Sequence, residues 1–148
     1  MFGRVQGINF GRIPKLLAPE ISLGGNFSYD INGQFYSTTT IYGYIKNKDY
    51  KTSYETLLAI MNSTLCWWFL KNTGTVLANG YFRYKPTYLK PFPLPIISRA
   101  KDKEIKELVE KLQQEDDITI LKSLENKINQ KIFELYNLTA EDVNVILS

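Results

Sequence analysis

The side chains in this sequence that are best suited to chemistry are hydrogen-bond donors around positions 79–85. Arg83 and Lys85 alternate, so on a strand they would point to the same side as Tyr81. Asn79 stands just before them in an Asn-Gly turn and adds an adaptable amide. Guanidinium, ammonium and amide groups donate to phosphate oxygens and to the edges of bases. The pattern therefore favours the binding of a polyanion over bond-breaking chemistry.

Further hydrogen-bond donors lie outside this segment. Those that could donate to phosphates are Thr38, Thr39, Thr40, Lys90, Lys15 and Arg12. The alternative for each of them is an ordinary solvated side chain, because many surface cations bind nothing specific. They extend the candidate surface without defining its shape.

Side chains that could carry out catalysis are scarce. The chain has no histidine and a single cysteine, Cys66, which excludes histidine-dependent triads and argues against a zinc site. Neither a glycine-rich phosphate loop nor a G-x-G-x-x-G fingerprint occurs. We therefore expect no catalytic residue and no metal site in this chain. One alternative stays open, a metal-dependent nuclease with carboxylates from Glu20, Asp30, Asp49 and Glu55.

The charge of the chain is unevenly distributed. Residues 1–100 contain eleven Lys and Arg against four Asp and Glu, whereas residues 101–148 contain seven against eleven. The overall charge of +3 therefore combines +7 in the first part with −4 in the second. Nine of the ten tyrosines also lie in the first part. A basic, tyrosine-rich body is typical of a surface for a polyanion, and an ordinary solvated surface is the alternative.

The sequence has no apparent targeting signal. Its N-terminus lacks a basic segment followed by an apolar core, and no apolar run approaches the roughly 20 residues that cross a bilayer. A single cysteine cannot form an internal disulfide, which fits a reducing compartment. We expect a cytoplasmic protein without membrane contact.

Residues 13–45 have the pattern of β-structure. Apolar and polar residues alternate over 27–31, the period of a half-buried strand. Asn32-Gly33 follows, a dipeptide favoured in tight hairpins, and β-branched and aromatic residues then dominate 35–45. The pattern predicts an antiparallel hairpin in which the second strand returns beside the first.

A helix is predicted over residues 53–72. Either Thr52 or Ser53 can cap it, and Thr52 would form a capping box with Glu55. Apolar residues then recur at spacings of three and four, which predicts one face directed to the core. Asn72-Thr73-Gly74 is expected to end the helix.

The segment after this helix is predicted to be irregular apart from one short strand. That strand is Tyr81–Lys85, with Phe82 and Tyr84 on the side opposite to the basic residues. Prolines at 86, 91, 93 and 95 favour an extended path with little room for helix. We expect residues 81–97 to join the antiparallel sheet.

The last third of the chain has helical spacing. The pattern over 101–112, a polar break at 113–117 and the pattern over 121–135 predict a helical hairpin, followed by a short helix from Thr139. The complete prediction is an α+β fold, in which a central helix packs an antiparallel sheet and a helical hairpin forms the C-terminus. We divide the chain into a body, residues 1–98, and a helical extension, residues 99–148, packed on the body.

Several segments, taken in chain order, resemble one known family. These segments are Pro14–Leu17, Pro19–Ser22, Tyr29–Tyr36, Leu57–Ser63, Gly80–Lys85, Leu89–Pro95 and Leu124–Thr139. Their order and spacing are similar to those of the TaqI-like C-terminal specificity domain, which occurs in type IIG restriction-modification enzymes and related adenine-specific DNA methyltransferases. The resemblance extends over residues 13–147.

The resemblance implies a module that recognises a specific sequence in double-stranded DNA. In that family the catalytic motif and the S-adenosylmethionine site lie in an N-terminal methyltransferase domain, with Mg²⁺ where a nuclease domain is present. The chain would then be a fragment or a truncated gene product, and its partners would be duplex DNA and that methyltransferase or nuclease domain. The alternative is a protein-interaction or subunit-docking module similar to type I specificity subunits.

Overall fold

The computed structural model describes residues 11–36 and 40–148 of the chain. These residues form five strands, β1 (Lys15–Pro19), β2 (Ile21–Ser22), β3 (Ser28–Asp30), β4 (Ile41–Tyr44) and β5 (Phe82–Arg83). They also form six α-helices, α1 (Tyr54–Asn62), α2 (Thr64–Thr73), α3 (Pro86–Leu89), α4 (Arg99–Gln113), α5 (Ile118–Leu135) and α6 (Ala140–Leu147). The fold is α+β, as the sequence predicted. Within these two ranges, no helix combines the length and the apolar character needed to cross a membrane.

The main sheet has β1 at its centre, antiparallel to both β3 and β4. Leu16 stands opposite Tyr29 on one side and Tyr44 on the other. Leu16 is buried, and the ring of Tyr29 stacks on Tyr54 of α1 with 5.0 Å between the ring centroids. Because side chains alternate along a strand, β1 directs this set toward the helix and the other set, which includes Lys15, to the opposite face.

The predicted Asn32-Gly33 hairpin is wrong, since β3 and β4 lie on opposite sides of β1. Gly33 does turn the chain, with a φ of 61°. The carboxylate of Asp30 then accepts hydrogen bonds from the backbone N–H groups of Gln34 (2.8 Å) and Phe35 (3.0 Å). These N–H groups are no longer available for a ladder with β3, so the chain crosses to the far side of β1 instead of returning.

The predicted single helix over residues 53–72 is divided in two at Ser63. Ser53 caps α1, one of the two caps that the sequence allowed. The backbone of Ser63 is extended, with φ −66° and ψ 155°. Its N–H donates to the carbonyl of Ile60 (3.2 Å), and its hydroxyl accepts from the N–H of Cys66 (3.1 Å). Ser63 therefore ends one helix and begins the next.

Asn62 fixes this break against the chain that leads into β3. Its side-chain oxygen accepts from the N–H of Phe27 (2.8 Å), and its NH₂ group donates to the carbonyl of Phe27 (2.9 Å). The amide thus pairs with a backbone far away in the sequence. A hydrophobic period cannot reveal such a contact, which is why the sequence predicted one continuous helix.

A separate two-stranded sheet pairs β5 with β2, and Arg83 stands opposite Ile21. The prediction that residues 81–97 join the main sheet is therefore wrong. Pro86 instead begins α3, which also corrects the expectation of little helix beyond it. Proline suits this position because its fixed φ is helical and a helix's first N–H has no partner within the helix.

The C-terminal helical pair is present as predicted, with α4 and α5 joined by residues 114–117. Side chains of the extension bind the starts of the two body helices. The carboxylate of Asp102 accepts from the N–H (3.1 Å) and the hydroxyl (2.9 Å) of Ser53, and Asn129 accepts from the N–H of Thr64 (2.9 Å). Unpaired N–H groups at helix starts need such partners. The buried side chains that the pair contributes to the core are Ile105, Val109, Ile128, Ile132 and Phe133.

Candidate nucleic-acid interface

The two sheets meet at the peptide groups of Glu20. Its N–H donates to the carbonyl of Thr40 (2.8 Å), and its carbonyl accepts from the N–H of Tyr84 (2.8 Å). The backbones of Thr40 and of the segment that carries Arg83 therefore lie on either side of one residue. The structure thus brings together two candidate positions that are distant in the sequence.

Two aromatic rings on the inner side of residues 81–85 hold this segment in place. Tyr84 is buried, and its hydroxyl donates to the carbonyl of Gly24 (2.6 Å). Burial raises the pKa of Tyr84, so the hydroxyl stays protonated and keeps donating. Phe82 packs edge-to-face on Trp67 with 5.3 Å between the centroids. Both rings therefore pack against other residues of the body.

The outer side of the same segment carries the candidate donors. Tyr81 is exposed, and Arg83 and Lys85 are half-buried. Asn79 precedes them in the turn Ala78–Gly80 with a φ of 66°, and its side chain is exposed. Asparagine is one of the few residues other than glycine that accept this left-handed backbone. The turn and strand therefore present an amide, a phenol and two cations along one short stretch.

Arg83 carries a buried hydrogen-bond donor, its Nε atom. Its Nε is enclosed, and no group in the part of the chain that the structure describes pairs with it. A buried N–H left unpaired costs about 1–3 kcal/mol. The guanidinium is also a planar fork of donors that matches a phosphate or the O6 and N7 edge of guanine. Because the Nε atom is enclosed, another molecule can reach only the exposed part of this half-buried side chain.

Lys90 lies beside an apolar cavity of about 620 Å³ between the main sheet, α1 and α3. Lys46 lines the same cavity, but its ammonium donates to the carbonyl of Thr52 (2.6 Å) and lies 5.2 Å from the ring centroid of Tyr54. Lys90 is exposed and presents its ammonium to solvent. Of these two lysines, Lys90 is therefore the better placed to contact a phosphate.

Lys15 is enclosed, which corrects the prediction that it donates to phosphates. Its ammonium lies 2.6 Å from the carboxylate of Asp30, and both side chains are 2% exposed. It also donates to the carbonyl of Gly11 (3.0 Å). Lys15 points to the face of β1 that the segments 11–13 and 33–36 cover. A sequence pattern indicates the alternation along a strand but not which distant segment lies on each face.

Arg12 is exposed, whereas Thr38 and Thr39 lie outside the described residues. Thr40 is exposed at the start of β4. Arg12 and Thr40 therefore remain candidate donors to phosphate, as do the donors on the outward side of residues 79–85.

Two of the four carboxylates considered for a nuclease form ion pairs in separate places. Asp30 pairs with Lys15, and Glu55 lies 3.4 Å from Lys106 of α4. Across residues 11–36 and 40–148, no three cysteine or acidic side chains form a group that could hold a metal ion. Because both partners of the Lys15–Asp30 pair are buried, this pair adds no net charge to the surface of the body.

Sequence reasoning missed a surface loop, residues 31–36. Ile31, Phe35 and Tyr36 are 56%, 60% and 47% exposed. Alternation and β-propensity had assigned these apolar residues to two half-buried strands. The signal that could have separated them is Asp30 ahead of Asn-Gly, because an aspartate often binds the N–H groups of the residues that follow it.

The fold and this surface define a small basic binding domain. A family model described as the TaqI-like C-terminal specificity domain matches residues 3–94. The match covers more than half of the 148 residues, and the chain belongs to this family. Membership supports a DNA-recognition module of restriction-modification enzymes. Comparison with curated proteins finds no match.

The matched range ends before α4 begins. The segments 14–17, 19–22, 29–36, 57–63 and 80–85 all lie inside it. The helical extension lies outside it, so its resemblance to the same family stays a prediction.

Proposed function

We propose that this chain is the target-recognition module of a restriction-modification enzyme and binds double-stranded DNA with sequence preference. The observation that carries the proposal is the match of residues 3–94 to a specificity domain, a range that contains Arg83 and the other donors of residues 79–85. Because the Nε atom of Arg83 is enclosed, DNA would contact the exposed part of this half-buried side chain.

The candidate donors divide into two roles in this proposal. Lys85, Lys90 and Arg12 contact phosphates and set the orientation of the protein on the duplex. Arg83, with Asn79 beside it, reaches base edges, where guanidinium and amide groups form bidentate pairs with guanine and adenine. Tyr81 and Thr40 flank these groups and can donate to the backbone of the DNA.

Catalysis belongs to a partner domain in this proposal. We assign no catalytic residue to this chain, and we assign S-adenosylmethionine, with Mg²⁺ for cleavage, to the methyltransferase or nuclease domain of the parent enzyme. That domain would hold the reacting base while this chain selects the sequence, in the reducing cytoplasm.

We expect the full chain to bind a mixed-sequence duplex with strong salt dependence. If Arg12, Lys85 and Lys90 each contact one phosphate, log K should fall against log salt with a slope of about −3. Fluorescence anisotropy over a range of ionic strength measures this slope. One strand of the same duplex is the control, and it should bind more weakly. A chain that binds no duplex even at low ionic strength would contradict the proposal.

A second function, protein docking, is favoured by the tip of the helical hairpin. None of residues 110–127 is buried, and Ile118 and Ile120 are 70% and 47% exposed. Apolar side chains on a protruding helix end are typical of a surface that another protein covers.

Sedimentation of the full chain tests this second function. Self-association that Ile118→Ser abolishes, without any duplex binding by the wild type, would favour a docking module. Lys111→Ser, at an exposed polar position on the same hairpin, is the matched control and should leave the sedimentation unchanged. A monomer that binds duplex DNA favours the recognition module instead.

A further inference from the structure

A buried ion pair organises the loop of residues 31–36. The ammonium of Lys15 and the carboxylate of Asp30 are 2.6 Å apart beneath this loop. The lysine also donates to the carbonyls of Gly11 (3.0 Å) and Ile13 (3.3 Å). Removing two charges from water costs about as much as their attraction returns, so a buried pair is weak evidence for stability alone. Its effect here is geometric, because it ties the start of β1 to the end of β3.

The same carboxylate determines the path of the loop. Asp30 accepts from the N–H groups of Gln34 (2.8 Å) and Phe35 (3.0 Å) in addition to the lysine. Burial by itself would raise the pKa of Asp30, but its hydrogen bonds outweigh burial and hold the pKa below its usual range. The group therefore stays ionised and keeps all of these donors.

Two glycines let the loop lie directly against the chain before β1. Gly33 has a φ of 61°, and a Cβ at this position would overlap the backbone of Arg12 and Ile13. A Cβ at Gly11 would overlap the ring of Tyr36. The loop is therefore held at both ends by close packing as well as by the ion pair. Little conformational entropy remains for a ligand to remove.

The anchored loop of residues 31–36 presents apolar side chains and contains no charged residue. Ile31 and Phe35 are 56% and 60% exposed. The carboxylate of Asp30, which directly precedes the loop, is turned inward and paired. Arg12, whose backbone touches Gly33, is exposed. An apolar element beside a cation, without negative charge, fits a ligand that has apolar surface next to anionic groups.

We propose that Ile31 and Phe35 are specificity-determining residues that contact the apolar surface of bases in duplex DNA. This inference rests on the proposed function. The apolar surface has two sources, the 5-methyl group of thymine in the major groove and the face of a base at an opened step. Phosphates flank both sources, which places an anion within reach of Arg12. The loop also lies inside the range matched to a specificity domain.

The test compares the sequences that each variant selects from a random duplex pool. The full chain, Ile31→Ser, Phe35→Ser and the control Ile96→Ser, whose side chain is 100% exposed in the body, are each used to enrich bound duplexes. We expect wild type and Ile96→Ser to select the same sequence. The two loop variants should lose discrimination at one or two positions by about 10-fold, the usual effect of one base pair, while binding to unselected duplex changes little.

Two modified duplexes distinguish the sources of apolar surface. If thymine methyl groups are contacted, replacing the thymine at the discriminated position with deoxyuridine should lower the affinity of the wild type. The decrease should equal the discrimination that the loop variants lose, and the affinity of the variants should not change. If a base-pair step is opened, the fluorescence of 2-aminopurine beside that position should increase when wild type binds and not when Phe35→Ser binds. If the loop variants select the wild-type sequence with unchanged discrimination, the inference about Ile31 and Phe35 is overturned and the proposed function is not. A wild-type chain that binds no duplex overturns the proposed function and this inference together.

Discussion

Replacing Lys15 with methionine should lower the free energy of unfolding by about 3 kcal/mol. This value is at the lower end of the range for breaking a buried ion pair, because the pair lies beneath a surface loop. Methionine fills a similar volume but leaves the carboxylate of Asp30 enclosed without its cation. That carboxylate is 2% exposed, so water cannot easily replace the lysine. Urea unfolding followed by circular dichroism measures the change.

Lys48→Met is the matched control for this substitution. Lys48 is exposed, and removing a surface lysine usually changes stability by less than about 0.5 kcal/mol. A loss below about 1 kcal/mol for Lys15→Met would show that the loop relaxes enough to hydrate Asp30. The conclusion that the Lys15–Asp30 pair holds the loop would then be wrong.

The same pair predicts how stability depends on pH. The folded pKa of Asp30 lies below its usual value, because its hydrogen bonds outweigh the opposing effect of burial. The pair therefore stabilises the fold above the unfolded pKa of about 3.9, and this contribution is lost as the pH falls through the lower folded pKa. The difference between wild type and Asp30→Asn should shrink in that acidic window. A difference that stays constant through it would contradict the assignment.

Replacing Arg83 with methionine should weaken duplex binding about 10- to 100-fold, the effect of losing one well-placed arginine contact. Methionine also removes the buried Nε, which has no acceptor in the described part of the chain, so stability should stay the same or rise by up to about 1 kcal/mol. Opposite effects on stability and binding are typical of a residue kept for function. Anisotropy titration and thermal melting of the same preparation measure both.

Arg99→Met is the control for the loss of one positive charge, since Arg99 is exposed on α4. Arg83→Lys keeps the charge without the planar fork, and we expect its affinity to lie between those of wild type and Arg83→Met. Lys85→Ala should weaken all sequences equally and reduce the salt slope by about 1. Arg83→Met binding as tightly as wild type would move the contact surface away from β5.

The helices show which structural features a local sequence pattern can predict. The helical pair was predicted, and Ser53 was the second of two caps that the sequence allowed, because caps and apolar spacing depend on residues a few positions apart. The division at Ser63 was not predicted, because Asn62 binds the backbone of Phe27, 35 residues away. Helix positions follow from the nearby sequence, but a break that depends on a distant partner does not.

The loop of residues 31–36 and the strand that carries Arg83 also differ in how well local sequence signals predicted them. The alternation along residues 81–85 predicted two opposite sides, and the structure buries Tyr84 while it leaves Tyr81 exposed and Arg83 and Lys85 half-buried. The Asn32-Gly33 hairpin failed although its local signal is strong. Asp30 uses the N–H groups that a hairpin would need, and Lys15 accounts for the position of that carboxylate. Local signals compete with contacts that only folding creates.

The sequence by itself determined the α+β class, the helical extension, the basic body and the specificity-domain family, since these depend on composition, periodicity and the order of short segments. The tertiary structure alone decided that β1 separates β3 from β4 and that Lys15 is enclosed in an ion pair with Asp30. It also decided that Nε of Arg83 is enclosed without a partner among residues 11–36 and 40–148. These features depend on which distant segments meet. Donors are therefore recognisable from residue type, but whether each one binds the protein itself or another molecule is settled only by the fold.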